Sequence, residues 1–296
     1  MNAPLRHTGS PVPRPATRRL RAVIATLVAA VCLCACQAPQ LAYKKLGWLA
    51  SWKLGQYVDL DATQEREFET NFRDLWDWHR ATELSGYGQD LRELARATRQ
   101  PMSREAVHSW AVRAQAHSQR VLARGMNPAC TLLSSFDDAQ RDSVLERIDQ
   151  NIEKDAEEYL DGSESEIRKQ ARKRMRKSLE RWVGDLDHSQ EQMLKTWSHS
   201  RPLRYRQWIE ERRQWRQQLA LVLEQRAAPE FCDRLQALVL HPREEQDGDL
   251  VNEASARAWI EFLASFSATL DEQQRDHLHD KLVELASDFE ALQGQS

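Results

Sequence analysis

The sequence predicts an all-α protein, a single irregular multi-helix domain of about nine to eleven helices behind a cleaved lipoprotein signal peptide. The 296 residues include only ten glycines, about half the usual share. After residue 35, Ile and Val together supply only 15 residues, so residues that favour β-strands are scarce. Four capped helix starts also recur along the chain. The composition argues against a β-sandwich, a β-barrel and a parallel-sheet enzyme.

The first 35 residues have the composition of a secretory signal peptide. They contain no Asp or Glu, carry five arginines and end in an apolar stretch over residues 22–35. At 14 residues, this stretch is shorter than the roughly 18 to 20 that a membrane-spanning helix needs. Residues 33–36 read Leu-Cys-Ala-Cys, which resembles the lipobox of bacterial lipoproteins. The resemblance implies cleavage before Cys36, because only Cys36 among the three cysteines of this stretch follows a small residue.

Lipidation at Cys36 would fix where the protein resides. In lipoproteins the cysteine thiol carries a diacylglycerol and the freed amine a third acyl chain, which together give stable anchoring in the bilayer. Gln37 follows, in place of the Asp associated with inner-membrane retention, so we expect an outer-membrane location facing the periplasm. The alternative is an uncleaved apolar segment with chance cysteines.

The predicted organisation is a signal peptide (1–35), a lipid anchor with a juxtamembrane amphipathic segment (36–58) and an α-helical periplasmic domain (59–296). Trp48 and Trp52 lie in the middle segment, close to lysines and only about ten residues after the anchor. This segment lies in the membrane interface or, equally, docks on the body as its first helix. The other tryptophans are expected in the core.

Four helices are predicted to begin with the same N-terminal capping box, Asp-x-x-Gln. An Asp at the N-cap can accept hydrogen bonds from backbone N–H groups in the first turn, while a Gln three residues later reaches back to the cap's own N–H. An apolar residue precedes each Asp, and another follows seven residues after it. The N-caps are Asp61, Asp137, Asp187 and Asp271, and their glutamines are Gln64, Gln140, Gln190 and Gln274. No apolar residue stands at the fourth helical position, so the leading Leu or Phe must pack against another helix.

Further signals delimit the helices between these starts. Ser103 caps a helix that is expected to end at Gly125, and Gly184 marks a second stop. The prolines from Pro101 onward are expected between helices, because a proline inside a helix removes a backbone hydrogen bond. They are Pro101, Pro128, Pro202, Pro229 and Pro242.

Charge argues against nucleic acid as a partner. Loss of the five signal-peptide arginines leaves 37 basic against 45 acidic residues, a net charge of −8. A local basic run could nevertheless meet anionic head groups or an acidic envelope protein. The alternative that we favour is a solvated helix face partly neutralised by neighbouring acidic helices. The run comprises Arg168, Lys169, Arg172, Lys173, Arg174, Arg176 and Lys177.

The sequence offers no positive sign of catalysis. It has no His-Glu-x-x-His, glycine-rich phosphate loop or nucleophile elbow, and acidic residues are too numerous to single out a catalytic pair. We therefore expect no metal and no cofactor. His79 follows Trp78 on an apolar helix face, where a packed or hydrogen-bonded imidazole is expected rather than a metal ligand or a base.

The start of the mature chain carries a distinctive set of residues: Tyr43, Leu46, Trp48, Leu49, Trp52, 57–61, Gln64 and 78–80. With these residues it resembles an uncharacterised lipoprotein family of Gram-negative bacteria, specifically over residues 36–87. That resemblance implies a helical periplasmic lipoprotein and carries over no catalytic residue. The Asp-x-x-Gln starts are also similar to the Leu-Thr-x-x-Gln starts of periplasmic helical stress proteins.

Two cysteines remain once Cys36 is acylated. Cys130 and Cys232 each follow a proline by two or three residues, near an expected helix terminus, in a compartment that oxidises thiols. We predict a disulfide between them, against the alternative of two buried free thiols.

We expect a membrane-anchored periplasmic lipoprotein with a non-catalytic protein-interaction or envelope-structure role. The alternative is a chaperone-like or stress-sensing helical protein. A lipid- or cell-wall-directed enzyme ranks third.

Overall fold

The computed structural model describes residues 45–200, 203–240 and 254–294, and within these ranges the chain is helical and contains no β-strand. A π-helical segment, His79–Glu83, joins the helix Ala62–Trp78 to the helix Leu84–Ala97 without a break, so the described ranges hold ten continuous helical stretches. This confirms the all-α class and the expected number of helices. The helices are α1 (Leu46–Leu54), α2 (Ala62–Trp78), α3 (Leu84–Ala97), α4 (Arg104–Ser134), α5 (Asp138–Leu160), α6 (Glu164–Val183), α7 (His188–Ser200), α8 (Tyr205–Glu224), α9 (Phe231–Val239), α10 (Ala254–Ser267) and α11 (Glu272–Gln293).

All four predicted Asp-x-x-Gln starts are present, at the beginnings of α2, α5, α7 and α11. At the first, Asp61 accepts from the backbone N–H of Gln64 at 2.9 Å, and the Gln64 side chain accepts from the N–H of Asp61 at 3.0 Å. Asp187 and Gln190 repeat the arrangement at 2.8 and 3.0 Å. Each exchange satisfies backbone donors that the first turn would leave without partners. The sequence therefore located these helix starts correctly.

The glutamines of these starts also bond to one another, two by two. Gln64 and Gln140 exchange amide hydrogen bonds at 3.0 and 2.7 Å, and we call them the first glutamine pair. Gln190 and Gln274 do the same at 2.7 and 2.9 Å, and form the second glutamine pair. Each pair thus joins the N-termini of two helices, α2 with α5 and α7 with α11.

Each glutamine amide also donates to a backbone carbonyl two residues before its partner's cap. In the first pair, Gln140 donates to the carbonyl of Asp59 at 2.8 Å, and Gln64 to that of Ser135 at 3.1 Å. In the second pair the acceptors are Asp185 at 2.7 Å and Thr269 at 3.2 Å. The two pairs therefore repeat the same hydrogen-bond pattern between different pairs of helices.

The apolar residues around each cap pack into the core beneath its pair. As expected without a staple, the leading residues pack against other elements: Leu60 with Phe136, and Leu186 with Leu270. The residues seven positions after each Asp join the same two clusters. They are Phe68 and Val144 below the first pair, and Leu194 and Leu278 below the second.

The helix capped by Ser103 differs from the prediction. Ser103 accepts from the N–H of Ala106 at 3.1 Å as expected, but α4 continues through Gly125 and Pro128 to Ser134. An internal proline costs a helix about 3 kcal/mol. Met126, Cys130 and Leu132 are buried beyond Gly125, and the burial of this apolar second half offsets that cost. Expecting a stop at Gly125, with Pro128 between helices, was therefore wrong.

The other predicted helix ends and interhelical prolines mostly agree with the structure. Gly184 ends α6 with a φ of +80°, a conformation that glycine adopts without strain. Pro101 and Pro229 lie between helices, whereas Pro202 and Pro242 fall outside the described residues. The sequence analysis missed a further capping box, Ser163 with Glu166, at the start of α6.

The C-terminal helix α11 packs along α3. Gly88 faces Ala286 and Glu290 so closely that an added Cβ would lie 3.4 Å from Cγ of Glu290. Arg92 spans the two helices and donates to both carboxylate oxygens of Glu290, at 2.7 and 2.6 Å. This contact holds α3 in place, and with it the charged residues described next.

Candidate functional site

A charged cluster around the buried carboxylate of Glu83 lies where the π-helical segment meets α3 and α4, and consists of Glu83, Asp90, His117 and the more exposed Arg120. Arg120 donates to the two oxygens of Glu83 at 2.7 and 2.9 Å, and His117 Nδ1 lies 2.7 Å from Glu83 Oε2. The other ring nitrogen of His117 lies 3.1 Å from Asp90 Oδ2. The Glu83 side chain is only 2% exposed, so the cluster ties α4 to the π-helical segment through a buried carboxylate.

The electrostatics favour the charged form of Glu83. Burial alone would raise the pKa of this carboxyl, but hydrogen bonds from Arg120 and His117 hold it below its usual value.

An aromatic column leads away from this cluster along α2. The His79 ring stacks on Trp76 with centroids 5.0 Å apart, and Nε2 of His79 lies 3.2 Å from the Tyr87 hydroxyl. Tyr87 in turn meets the His117 ring edge-on at 4.6 Å. Burial lowers the pKa of His79 to about 4, against the opposing effect of the Glu83 carboxylate. His79 is therefore packed and hydrogen-bonded, which matches the sequence prediction, and its lowered pKa favours the neutral imidazole.

The absence of a side chain at Gly86 leaves space for the His117 ring. A Cβ added at Gly86 would lie 2.9 Å from Cε1 of His117, closer than side-chain atoms pack. Because Glu83 and Asp90 hold the His117 ring on both sides, it has little freedom to move away. Gly86 is thus the residue that allows α4 to bring His117 against α3.

The groups of the cluster are engaged with one another. Both oxygens of Glu83 already accept hydrogen bonds, and Asp90 is shared between His117 and Arg113. The geometry is that of an ion-pair network that fixes helix packing around a π-helical segment, a feature that often marks functional sites. Within the described ranges, no group of three or more His, Cys, Asp or Glu residues is arranged to hold a metal ion.

Sequence reasoning missed this cluster. Glu83 and His117 are 34 positions apart, and neither belongs to a recognisable motif. The available signal was weak: His79, Glu83 and Tyr87 repeat every four residues and so share one helix face.

The two predicted disulfide cysteines lie together. Their Cα atoms are 5.4 Å apart, within the range that a disulfide needs, and they join α4 to the start of α9. Cys130 lies inside α4 rather than at a corner of the chain, because that helix continues past Pro128. Cys130 is buried in a core cluster with Leu145 and Trp215.

The predicted basic run lies on α6, and three of its arginines are paired within the fold. Arg168 bonds Glu164 and the carbonyl of Ser198, Arg174 approaches Glu158, and Arg176 bonds Glu180. Four residues remain, of which Arg172 is half-buried; the exposed ones are Lys169, Lys173 and Lys177. The face is thus partly neutralised by neighbouring acidic groups.

Trp48 and Trp52 lie on the side of α1 that faces away from the helical body. Leu46 and Leu54 face the body and pack against core clusters. Lys45, Trp48, Leu49 and Trp52 form the opposite face, where the two tryptophans are 67% and 52% exposed. We call these four residues the α1 outer face. Docking as the first helix therefore leaves an exposed aromatic surface. Cys36 lies outside the described residues.

None of the helices in the described ranges is long and apolar enough to cross a membrane.

A protein-family model described as "Family of unknown function (DUF6279)" matches residues 56–247. The chain belongs to this family. The DUF6279 region begins after α1 and contains the charged cluster, both predicted disulfide cysteines and three of the four Asp-x-x-Gln starts. Comparisons with curated proteins and with solved structures gave no match.

Proposed function

We propose that this DUF6279 protein is an outer-membrane lipoprotein, anchored through Cys36 and facing the periplasm, whose helical body binds another envelope component rather than catalysing a reaction. The observation that carries the proposal is the arginine-rich, acid-free leader followed by Leu-Cys-Ala-Cys at residues 33–36. The cysteine pair supports it, since Cys130 and Cys232 lie at disulfide distance and disulfides persist in oxidising compartments.

A Cys36→Ser variant tests the anchor. We expect the wild-type protein to incorporate labelled palmitate and to fractionate with outer membranes. The variant should incorporate none, because serine offers no thiol to the diacylglycerol transfer. Cys34→Ser is the matched control, since it changes a neighbouring leader cysteine and should leave lipidation intact. Labelling of the Cys36→Ser protein would contradict the proposal.

The non-catalytic role rests on how the cluster's polar groups are used. Glu83, His117 and Arg120 hydrogen-bond one another, which suits a rigid framework better than proton transfer to a substrate. A framework of this kind presents surfaces to partners. Leu221, on α8, is 62% exposed and is a suitable place for a photo-crosslinking amino acid.

Crosslinking in intact cells tests for a partner. We expect a reproducible adduct with one envelope protein from position 221, and none from the exposed position Glu69 on α2. No adduct from position 221 or from a second exposed apolar position, Val112, would contradict the interaction role.

A chaperone-like role is the alternative, and the Asp-x-x-Gln starts are the observation that favours it, through their likeness to periplasmic stress proteins. In this fold the four glutamines bond in two pairs, which gives the motif a structural use of its own. The alternative predicts that the protein suppresses aggregation of unfolded envelope proteins at near-stoichiometric ratios. Absence of protection would eliminate it.

A further inference from the structure

The α1 outer face consists of an unusual concentration of exposed apolar side chains. Trp48, Leu49 and Trp52 are 67%, 41% and 52% exposed, and together they supply half of the six large apolar residues that are exposed in the described ranges. The two indole rings stack with centroids 6.3 Å apart, so they form one continuous surface. A surface of this kind has to be covered by something other than water to lower its free energy.

The face is fixed by the fold. Positions 45, 48, 49 and 52 are spaced by three and four residues and therefore share one side of the helix. Leu46, on the opposite side, packs on the cluster of Leu84 and Phe289, and Leu54 packs on the cluster of Val58 and Phe136. Rotation of α1 to hide its tryptophans would expose those leucines, so the aromatic side stays outward.

We propose that the α1 outer face lies in the bilayer interface and holds the DUF6279 body against the membrane that carries its anchor; this inference rests on the proposed lipidation at Cys36. The connection is short, because residues 37–44 can span at most roughly 30 Å at full extension. A lipid on Cys36 thus keeps α1 within reach of the bilayer at all times, which gives membrane contact a large advantage over a diffusing partner.

The chemistry of the face also matches a lipid surface. Tryptophan is enriched at the membrane–water interface, where its ring meets the acyl boundary and its N–H the headgroups. Lys45 on the face and Lys53 beside it add positive charge, which attracts anionic headgroups. The occupant that fits is therefore the interface of the membrane itself.

The first test measures whether these tryptophans enter lipid. The full mature protein is reconstituted into vesicles of phosphatidylethanolamine and phosphatidylglycerol that contain brominated acyl chains, which quench indole fluorescence on contact. We expect strong quenching in the wild-type protein and loss of most of it in Trp48→Phe/Trp52→Phe. Trp259→Phe is the control, since Trp259 is 38% exposed but packs against Trp197 and Phe262 on the body. Equal quenching in the wild-type protein and the double variant would overturn the inference.

The second test identifies the occupant in cells. A benzophenone amino acid at position 49 should crosslink to phospholipid, whereas a dominant adduct with another protein, or with a second copy of this chain, would overturn the inference. Flotation of the protein with vesicles reports the anchor separately. If the protein floats with vesicles but its tryptophans are not quenched, the lipoprotein proposal stands and the membrane contact of the α1 outer face is wrong. If the protein carries no lipid anchor, the lipoprotein proposal is wrong. Quenching after addition of that protein to vesicles then decides whether the α1 outer face binds lipid on its own.

Discussion

The two glutamine pairs share a motif and a hydrogen-bond pattern, but they differ in burial. In the second pair, Gln190 and Gln274 are 0% and 6% exposed, whereas in the first pair Gln64 is buried and Gln140 is partly exposed. Water can replace a lost partner at Gln140, but it cannot do so at Gln190. The comparison teaches that hydrogen-bond geometry alone does not set the contribution of a contact to stability; the cost of leaving its partners unsatisfied does.

The largest expected effect comes from the predicted disulfide, which involves the helix that precedes the first glutamine pair. Cys130 lies on that helix, α4, and a bond to Cys232 would close a loop of 102 residues. In the chain-entropy model such a link contributes about 4 to 5 kcal/mol to the free energy of unfolding. We expect Cys130→Ala/Cys232→Ala to lose most of this in urea unfolding.

Reductant provides the control for that loss. It should destabilise the wild-type protein by a similar amount and leave the double variant unchanged. Free thiols at Cys130 and Cys232 in the unreduced protein would contradict the prediction.

The next effect tests the buried pair directly. Gln190→Ala removes bonds to Gln274, to the N–H of Asp187 and to the carbonyl of Thr269 in a site closed to water. We expect the free energy of unfolding to fall by about 3 kcal/mol.

A double-mutant cycle sharpens this result. Gln190→Ala/Gln274→Ala should cost well below the sum of the two single substitutions, because neither glutamine side chain is left without the other. Additive costs would show that the two amides do not depend on each other.

A third effect concerns His79, the first residue of the π-helical segment that continues α2, the helix that begins at the first pair. The pKa of His79 is about 4 in the folded protein, below its value in an unfolded chain, because burial disfavours the charged imidazole. At a pH between these two pKa values, the imidazole is protonated in the unfolded state but not in the folded state. Stability is therefore complete above the unfolded pKa and falls as pH drops towards the folded one.

We expect this histidine to account for a loss of about 2 kcal/mol between pH 7 and pH 5. His79→Phe should remove that part of the pH dependence, whatever its effect at neutral pH. Parallel stability profiles for the variant and the wild-type protein over this range would contradict the assignment.

The smallest effect belongs to the exposed member of the first pair. Gln140→Ala removes bonds to Gln64 and to the carbonyl of Asp59, where water can enter. We expect a cost of about 1 kcal/mol, and a coupling to Gln64→Ala smaller than that of the second pair. A cost equal to that of Gln190→Ala would remove burial as the explanation of the difference.

Sequence reasoning was most successful where the deciding contacts are local. The four Asp caps and Gly184 were located because their hydrogen bonds or backbone conformations involve residues within one helical turn. It was wrong about Gly125 and Pro128, because the burial of Met126 and Leu132 in distant clusters outweighs the local signal for a break.

The sequence by itself determined the all-α class, through its few strand-forming residues, and the starts of α2, α5, α7 and α11, through self-contained capping boxes. Lipidation at Cys36 stays a prediction from the sequence. Only the tertiary structure decided which glutamines bond to each other, since partners lie 76 and 84 positions apart and the motif is the same in all four. It likewise decided that Glu83 meets Arg120, because a charge needs a partner only once packing has removed its water.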